Sequence, residues 1–179
     1  MRGCSGMICF GQVATKTQIT AEQYLHMTFE HDAEFVHGEI VERSMPDYIH
    51  GRIQALLSSK FEALPPSHRL LGCAEVRMKI APDVFRIPDV AAFNMPPQTT
   101  VPETPPLVVV EILSKDDRHT DLMQKLEEYR TWGVPNIWIV DPATKRFSVY
   151  TELGLQNVSS FNLAGYPFQI TQPELFADL

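Results

Sequence analysis

From residue 20 onward the polar and apolar positions change period several times. Thr20-Ala-Glu-Gln23 has the form of a capping box and predicts a short helix carrying Tyr24, Leu25 and Met27. Residues 33–43, AEFVHGEIVER, read as two short β segments meeting at His37-Gly38. A helical period then takes over, placing Ile49, Ile53, Leu56, Leu57, Phe61 and Leu64 on one side, with Arg52 and Lys60 on the wet side; Pro65-Pro66 ends it. CAEVRMKI (73–80) and FRIPDVAAF (85–93) return to alternation and predict two strands around a Pro82-Asp83 turn. Pro88 inside the second of them is tolerable only at an edge, a bulge or a break in the ladder. The proline-rich segment 95–106 suits a surface loop.

LVVVEIL (107–113) predicts a strand, about Arg118 to Thr131 a helix stopped by Gly133, NIWIVD (136–141) a strand, and KRFSVYT (145–151) another after an Asp-Pro turn. Strand, helix and strand with such short connections form a βαβ unit, so 107–113 and 136–141 should run parallel with a right-handed crossover. The remaining strands look hairpin-like. The expected class is therefore α/β, with a central mixed sheet flanked by helices and Leu175 and Phe176 of the tail packed onto it. No internal repeat is visible.

Within LVVVEIL the alternation places Val109, Glu111 and Leu113 on one face and Val108, Val110 and Ile112 on the other. A carboxylate in such a run must be paired, protonated or bound to a cation, because burying it alone costs several kcal/mol, roughly. The same rule groups Asp89, Ala91 and Phe93. If the two strands are neighbours, Asp89 and Glu111 converge, and two carboxylates together call for a shared proton or a divalent cation. Oxygen ligands suit Mg²⁺ or Mn²⁺ better than zinc, and the histidines at 26, 31, 37, 50, 68 and 119 show no zinc-like spacing. A metal so held would activate water against a phosphodiester, with a nearby lysine, Lys115 or Lys125, positioning that water or stabilising the transition state. Lys125 borders the buried stripe of Leu122, Leu126 and Tyr129. The competing reading keeps Glu111 as a hydrogen-bonded strand residue and Asp121–Lys125 as an exposed i,i+4 pair.

Composition narrows the field. At 179 residues and 44% hydrophobic, the chain can bury one sizeable core, read as a single domain over 19–179 behind a flexible extension over 1–18. A net charge of −7 argues against a broad basic coat for nucleic acid, though a local basic groove stays open, with Arg77, Lys79 and Arg86 able to track a phosphate backbone or to form a solvated face. Cys4, Cys9 and Cys73 have no metal-ligand spacing, and an odd count suits the reducing cytoplasm. The N-terminal MICF is too short for a signal h-region or a membrane span. Trp132 and Trp138 read as packing residues, and Asp141 as a turn residue.

Taken together, GE-I-V-E (38–42), a helix containing His50, IPDVAAF, VVVEILS, Asp121-x-x-x-Lys125-x-x-x-Tyr129 and WGVPNIWIVDP (132–142) resemble the Uma family of restriction endonucleases, within the PD-(D/E)XK nuclease superfamily. The likeness runs from about Thr20 to Leu179. It implies a restriction-endonuclease-like core and Mg²⁺-dependent hydrolysis of DNA, with Asp89 and Glu111 as metal ligands, the carbonyl of Ile112 as a further ligand, Glu39 as an outer or second-metal ligand, and Lys125 as the catalytic lysine. The superfamily usually carries that lysine two positions after the strand carboxylate, where this chain has Leu113. Asp116 and Asp117 are read as helix caps, and a homodimer is expected, as is common for nucleases that cut two strands. The alternative is a nuclease-fold binding or assembly module without catalysis, which the acidic charge and Leu113 favour.

Overall fold

The computed structural model describes residues 18–30, 32–115, 118–177 and 179. The extension assigned to 1–18 thus lies almost wholly outside the described residues, as do Cys4, Cys9, His31 and the helix caps assigned to Asp116 and Asp117. Helix α1 (Ala21–His26) begins with the expected reciprocal cap between Thr20 and Gln23. Strands β1 (Ala33–Val36) and β2 (Glu39–Glu42) form a hairpin through His37-Gly38, both at positive φ, the twist a two-residue turn needs. Helix α2 (Tyr48–Glu62) is capped by Asp47, whose carboxylate accepts the His50 N–H, and it buries Ile53, Leu57 and Phe61.

Each of the two strands expected over 73–80 and 85–93 is broken in two. The chain makes β3 (Leu71–Ala74), β4 (Met78–Ala81), β5 (Val84–Arg86) and β6 (Val90–Phe93). Ala74 pairs with Val90 in one sheet and Met78 with Arg86 in another, so this hairpin passes from one sheet to the next through 75–77 and 87–89. Glu75 makes the corner at φ 52°, and Pro88 sits at the opposite corner, outside any ladder. Alternation continues through both corners, which is why sequence period alone joins the pieces.

β7 (Val108–Ile112), α3 (His119–Trp132) and β8 (Asn136–Asp141) form the expected βαβ unit, with β7 and β8 parallel. β9 (Arg146–Thr151) and β10 (Gly154–Val158) extend the sheet, while β11 (Ser160–Asn162), β12 (Gln169–Thr171) and α4 (Gln172–Phe176) complete the chain. The central sheet has the order β10-β9-β8-β7-β6-β3 and is mixed; β2-β1-β5-β4 is antiparallel, and β11 pairs with β12.

One face of the central sheet carries the larger apolar core. Val108, Val110, Ile112, Trp138 and Phe147 pack there with Ile53, Leu57 and Phe61 of α2 and with Phe161, Phe168, Leu175 and Phe176 from the tail. Trp138 stacks on Phe161 at 4.6 Å between ring centroids, and Phe161 on Phe147 at 4.2 Å. Helix α2 lies close enough to β3 that a Cβ on Gly72 would stand 2.7 Å from the Ser58 carbonyl oxygen, so no larger residue fits without moving backbone. The other face carries Val109, Ala91, Phe93 and Ile139 under Leu126 and Tyr129 of α3. Glu111 projects from this second face.

Candidate active site

The corner at 87–89 and the end of β7 open a cleft of about 230 Å³ against the β1–β2 hairpin and α3. Antiparallel pairing of Val90 with Val110 brings Asp89, the next residue outward, beside the end of β7. One Asp89 oxygen, Oδ2, accepts the Ile112 backbone N–H at 2.6 Å. The other, Oδ1, lies 2.6 Å from Arg43 Nη2 and 3.1 Å from His50 Nε2. Asp89 and Glu111 are only 3% and 6% exposed, yet both line the cleft.

Lys125 reaches in from α3. Its ammonium stands 2.9 Å from Glu111 Oε2 and 2.9 Å from Glu34 Oε1, and donates to the Ile87 carbonyl at 3.2 Å. The i,i+4 reading of Asp121–Lys125 therefore gives way to long-range pairing: Asp121 is exposed and accepts from the Thr120 hydroxyl. The remaining oxygen of Glu111, Oε1, accepts the Tyr129 hydroxyl at 2.9 Å. Lys125 on the second turn of α3 and Tyr129 one turn later both point at the end of β7, as i,i+4 spacing requires. Leu113, at the usual lysine position, is apolar, and the charge arrives from the helix instead.

Besides Arg43, described above, Glu34 is a participant that sequence reasoning missed. It is 3% exposed and accepts from Arg86 at 2.8 Å and from the Ile87 N–H at 2.9 Å besides meeting Lys125. The signal was available: Glu34 lies in AEFV between residues that alternation buries, much as Glu111 lies in its strand. Glu39, assigned as an outer ligand, is exposed on β2 and does not line the cleft. Register explains the exchange, because Glu39 pairs with Val36 and Glu34 with Val41, two pairs further from the turn and toward the cleft. Arg86, read as a possible phosphate-tracking or solvated residue, is instead 5% exposed and tied to Glu34 and Glu128. Lys79 meets Glu103, and Arg77 lies over the Tyr24 ring. Lys115 is exposed and does not line the cleft.

Electrostatics separates the two carboxylates. Burial alone would raise the pKa of Asp89, but the His50 hydrogen bond and the charges of Lys125, His50 and Arg43 outweigh it and hold Asp89 below the ordinary carboxylate range. At Glu111 burial wins. Lys125 opposes it, yet the neighbouring charges of Asp89 and Glu34 add to it, and the group is pushed up to about 7. Burial pulls Lys125 down, but the charges of Glu111, Glu34 and Asp89 reverse this and keep the ammonium protonated. A fully protonated lysine here is a donor and a fixed positive charge, not a base.

Among the described residues, no three His, Cys, Asp or Glu side chains are arranged as a complete metal cage. Two carboxylates lining one cleft, with backbone carbonyl oxygen nearby, still fit the needs of Mg²⁺, which takes one or two carboxylates and fills its remaining positions with water and substrate phosphate. Among the described residues, no helix is long and apolar enough to cross a membrane.

Residues 21–169 match the family Uma2, described as "Putative restriction endonuclease". The fold matches a crystal structure from Anabaena variabilis ATCC 29413 described as a putative nuclease belonging to DUF820, with a TM-score of 0.79 and 20% sequence identity over 89% of this chain and 98% of that one. At that identity the likeness carries the architecture alone. No curated protein matches the chain.

Proposed function

The chain belongs to the Uma2 family, and on that premise we propose that it is a Mg²⁺- or Mn²⁺-dependent endonuclease acting on DNA at the Asp89–Glu111–Lys125 cleft. The observation that carries this reading is the position of Lys125, 2.9 Å from Glu111 on the face that also presents Asp89. Asp89, Glu111 and the Ile112 carbonyl would hold the metal. When bound, it would supply a water of lowered pKa and charge neutralisation at the scissile phosphate.

The chain's own groups have separable tasks. Asp89 is kept ionised by His50, Lys125 and Arg43, so it offers a ready anionic oxygen at neutral pH. Glu111, poised at about 7, changes protonation in the working range, which suits a carboxylate that must give up its proton when a cation arrives. Lys125 donates, either to the attacking water or to charge developing on the phosphoryl oxygens, and its pairing with Glu34 and Glu111 fixes where that donor sits. Tyr129 and Arg86 act one step back, orienting Glu111 and Glu34 respectively. Cutting both strands of a duplex in one encounter would take two such clefts, as a homodimer provides.

The purified protein is expected to nick supercoiled DNA with Mg²⁺ or Mn²⁺, and Asp89→Ala to reduce this at least a hundredfold, about the effect of removing a principal electrostatic group. Equal activity in the variant would assign the nicking to a contaminant. DNA binding without any divalent-metal binding at millimolar concentration would instead support the non-catalytic module.

A further inference from the structure

We propose that Arg43 is an exchangeable counter-ion of the metal site: a divalent cation arriving at Asp89 displaces its guanidinium, which then binds the substrate phosphate. This inference rests on the reading of Asp89 as a metal ligand.

The geometry of Asp89 favours exchange. Its Oδ2 is taken by the Ile112 N–H at 2.6 Å, and its Oδ1 by Arg43 at 2.6 Å and His50 at 3.1 Å. A guanidinium has donors only and no lone pair to offer a metal. Oδ1 already meets two donors, and a dication settling there would face the guanidinium at a range where the two positive charges repel. The Ile112 N–H belongs to the backbone of a buried strand and cannot withdraw. The backbone of His50 is held at the start of α2 by its own N–H to Asp47, which leaves its short side chain little reach. Of the two side chains on Asp89, Arg43 has the longer arm and the permanent charge and stands outside any helix or strand, so it is the one that leaves.

Arg43 is also built to move alone. Its backbone N–H is held by the Asp32 carbonyl at 3.0 Å, so its Cα stays anchored beside the hairpin. The chain from 43 to 47 has no regular structure, and the Arg43 side chain, 15% exposed, lines the open cleft. Its second contact, to Glu75 at 3.7 Å, is long and weak. Rotation of the side chain carries it from Asp89 into the cleft, where a phosphate is the oxyanion its planar fork best fits.

Exchange predicts opposite effects of one substitution. By titration calorimetry of the full chain, Arg43→Gln should bind Mn²⁺ about tenfold more tightly than wild type, because the competing cation is gone. In Ca²⁺, used to permit binding without turnover, the same variant should bind a duplex oligonucleotide about tenfold more weakly, while without divalent metal the two proteins differ little, since Arg43 is then held on Asp89. Arg43→Lys, which keeps the charge but not the fork, should recover most of the weaker Mn²⁺ affinity and little of the DNA affinity; it also serves if Arg43→Gln fails to fold. Unchanged or weaker Mn²⁺ binding in Arg43→Gln overturns the exchange. So does a DNA defect of equal size with and without metal. Asp89→Asn separates the two readings: if wild type binds Mn²⁺ and Asp89→Asn does not, a negative Arg43 result refutes the exchange alone, whereas wild type that binds no Mn²⁺ refutes both.

Discussion

The two faces of β7 have opposite characters. On one side Val108, Val110 and Ile112 enter a core of stacked aromatics without a charge; on the other, Glu111 joins Asp89, Glu34, Lys125, Arg43 and His50 in a nearly dry cluster. The first face can only stabilise. The second holds ions whose desolvation roughly cancels their mutual attraction, so it adds little net stability and needs complete pairing to be tolerated. The apolar face thus allows a cluster of charges to stay buried one residue away along the same strand, and truncations on the two faces should fail in different ways.

Four changes sharpen that contrast, in order of expected size. Trp138→Ala removes the ring stacked on Phe161 and should cost about 4 kcal/mol in denaturant unfolding. A loss below about 1 kcal/mol would mean that the tail is not the seal of this core. Lys125→Met leaves Glu111 and Glu34 without their shared cation and should cost about 3 kcal/mol, together with nuclease activity. If it is instead stabilising at pH 7, the cluster is less strained by its acids than the pairing suggests.

The third change concerns pH. Glu111 is pushed up to about 7 from an ordinary 4.5, so the folded state holds its proton more tightly than the unfolded state does. Its contribution is complete below about pH 4.5 and is lost as pH rises through 7. Asp89 and Glu34 are depressed and have the opposite sign, contributing above their ordinary 3.8 and 4.5 and losing that contribution as pH falls through their lower folded values. Between pH 5 and 8, wild-type Tm should therefore fall by on the order of 5 °C, and Glu111→Gln should flatten the decline. Equal slopes in wild type and Glu111→Gln would show that Glu111 does not change protonation over this range. Smallest is Tyr129→Phe, which deletes one hydrogen bond to Glu111 and should cost about 1 kcal/mol while lowering activity through a looser carboxylate.

Much of this architecture is legible in the chain because local physics decides it. Capping at Thr20, the helical stripe of Ile53, Leu57 and Phe61, and the strand-helix-strand run through 107–141 each follow from period and punctuation, and each forms as read. The breaks at 75–77 and 87–89 were not legible, since a chain that turns from one sheet into another keeps its alternation through the corner. Pro88 marked only that some irregularity had to fall there.

The candidate site divides along the same line. Glu111 and Asp89 announce themselves as carboxylates in apolar runs, a conflict that sequence alone raises, and Lys125 sits at a spacing that borders the buried stripe. Which acid completes the cluster depended on the register of the β1–β2 hairpin and its placement against α3, contacts between residues as far apart as Glu34 and Lys125. The sequence by itself determined the elements, the buried faces and the two carboxylates in search of partners, because those follow from side-chain period and the cost of an unpaired charge. Only tertiary structure chose Glu34 over Glu39, sent Lys125 to Glu111 instead of Asp121 and laid Arg43 on Asp89, because an ion pair is set by distances in space that no local pattern encodes.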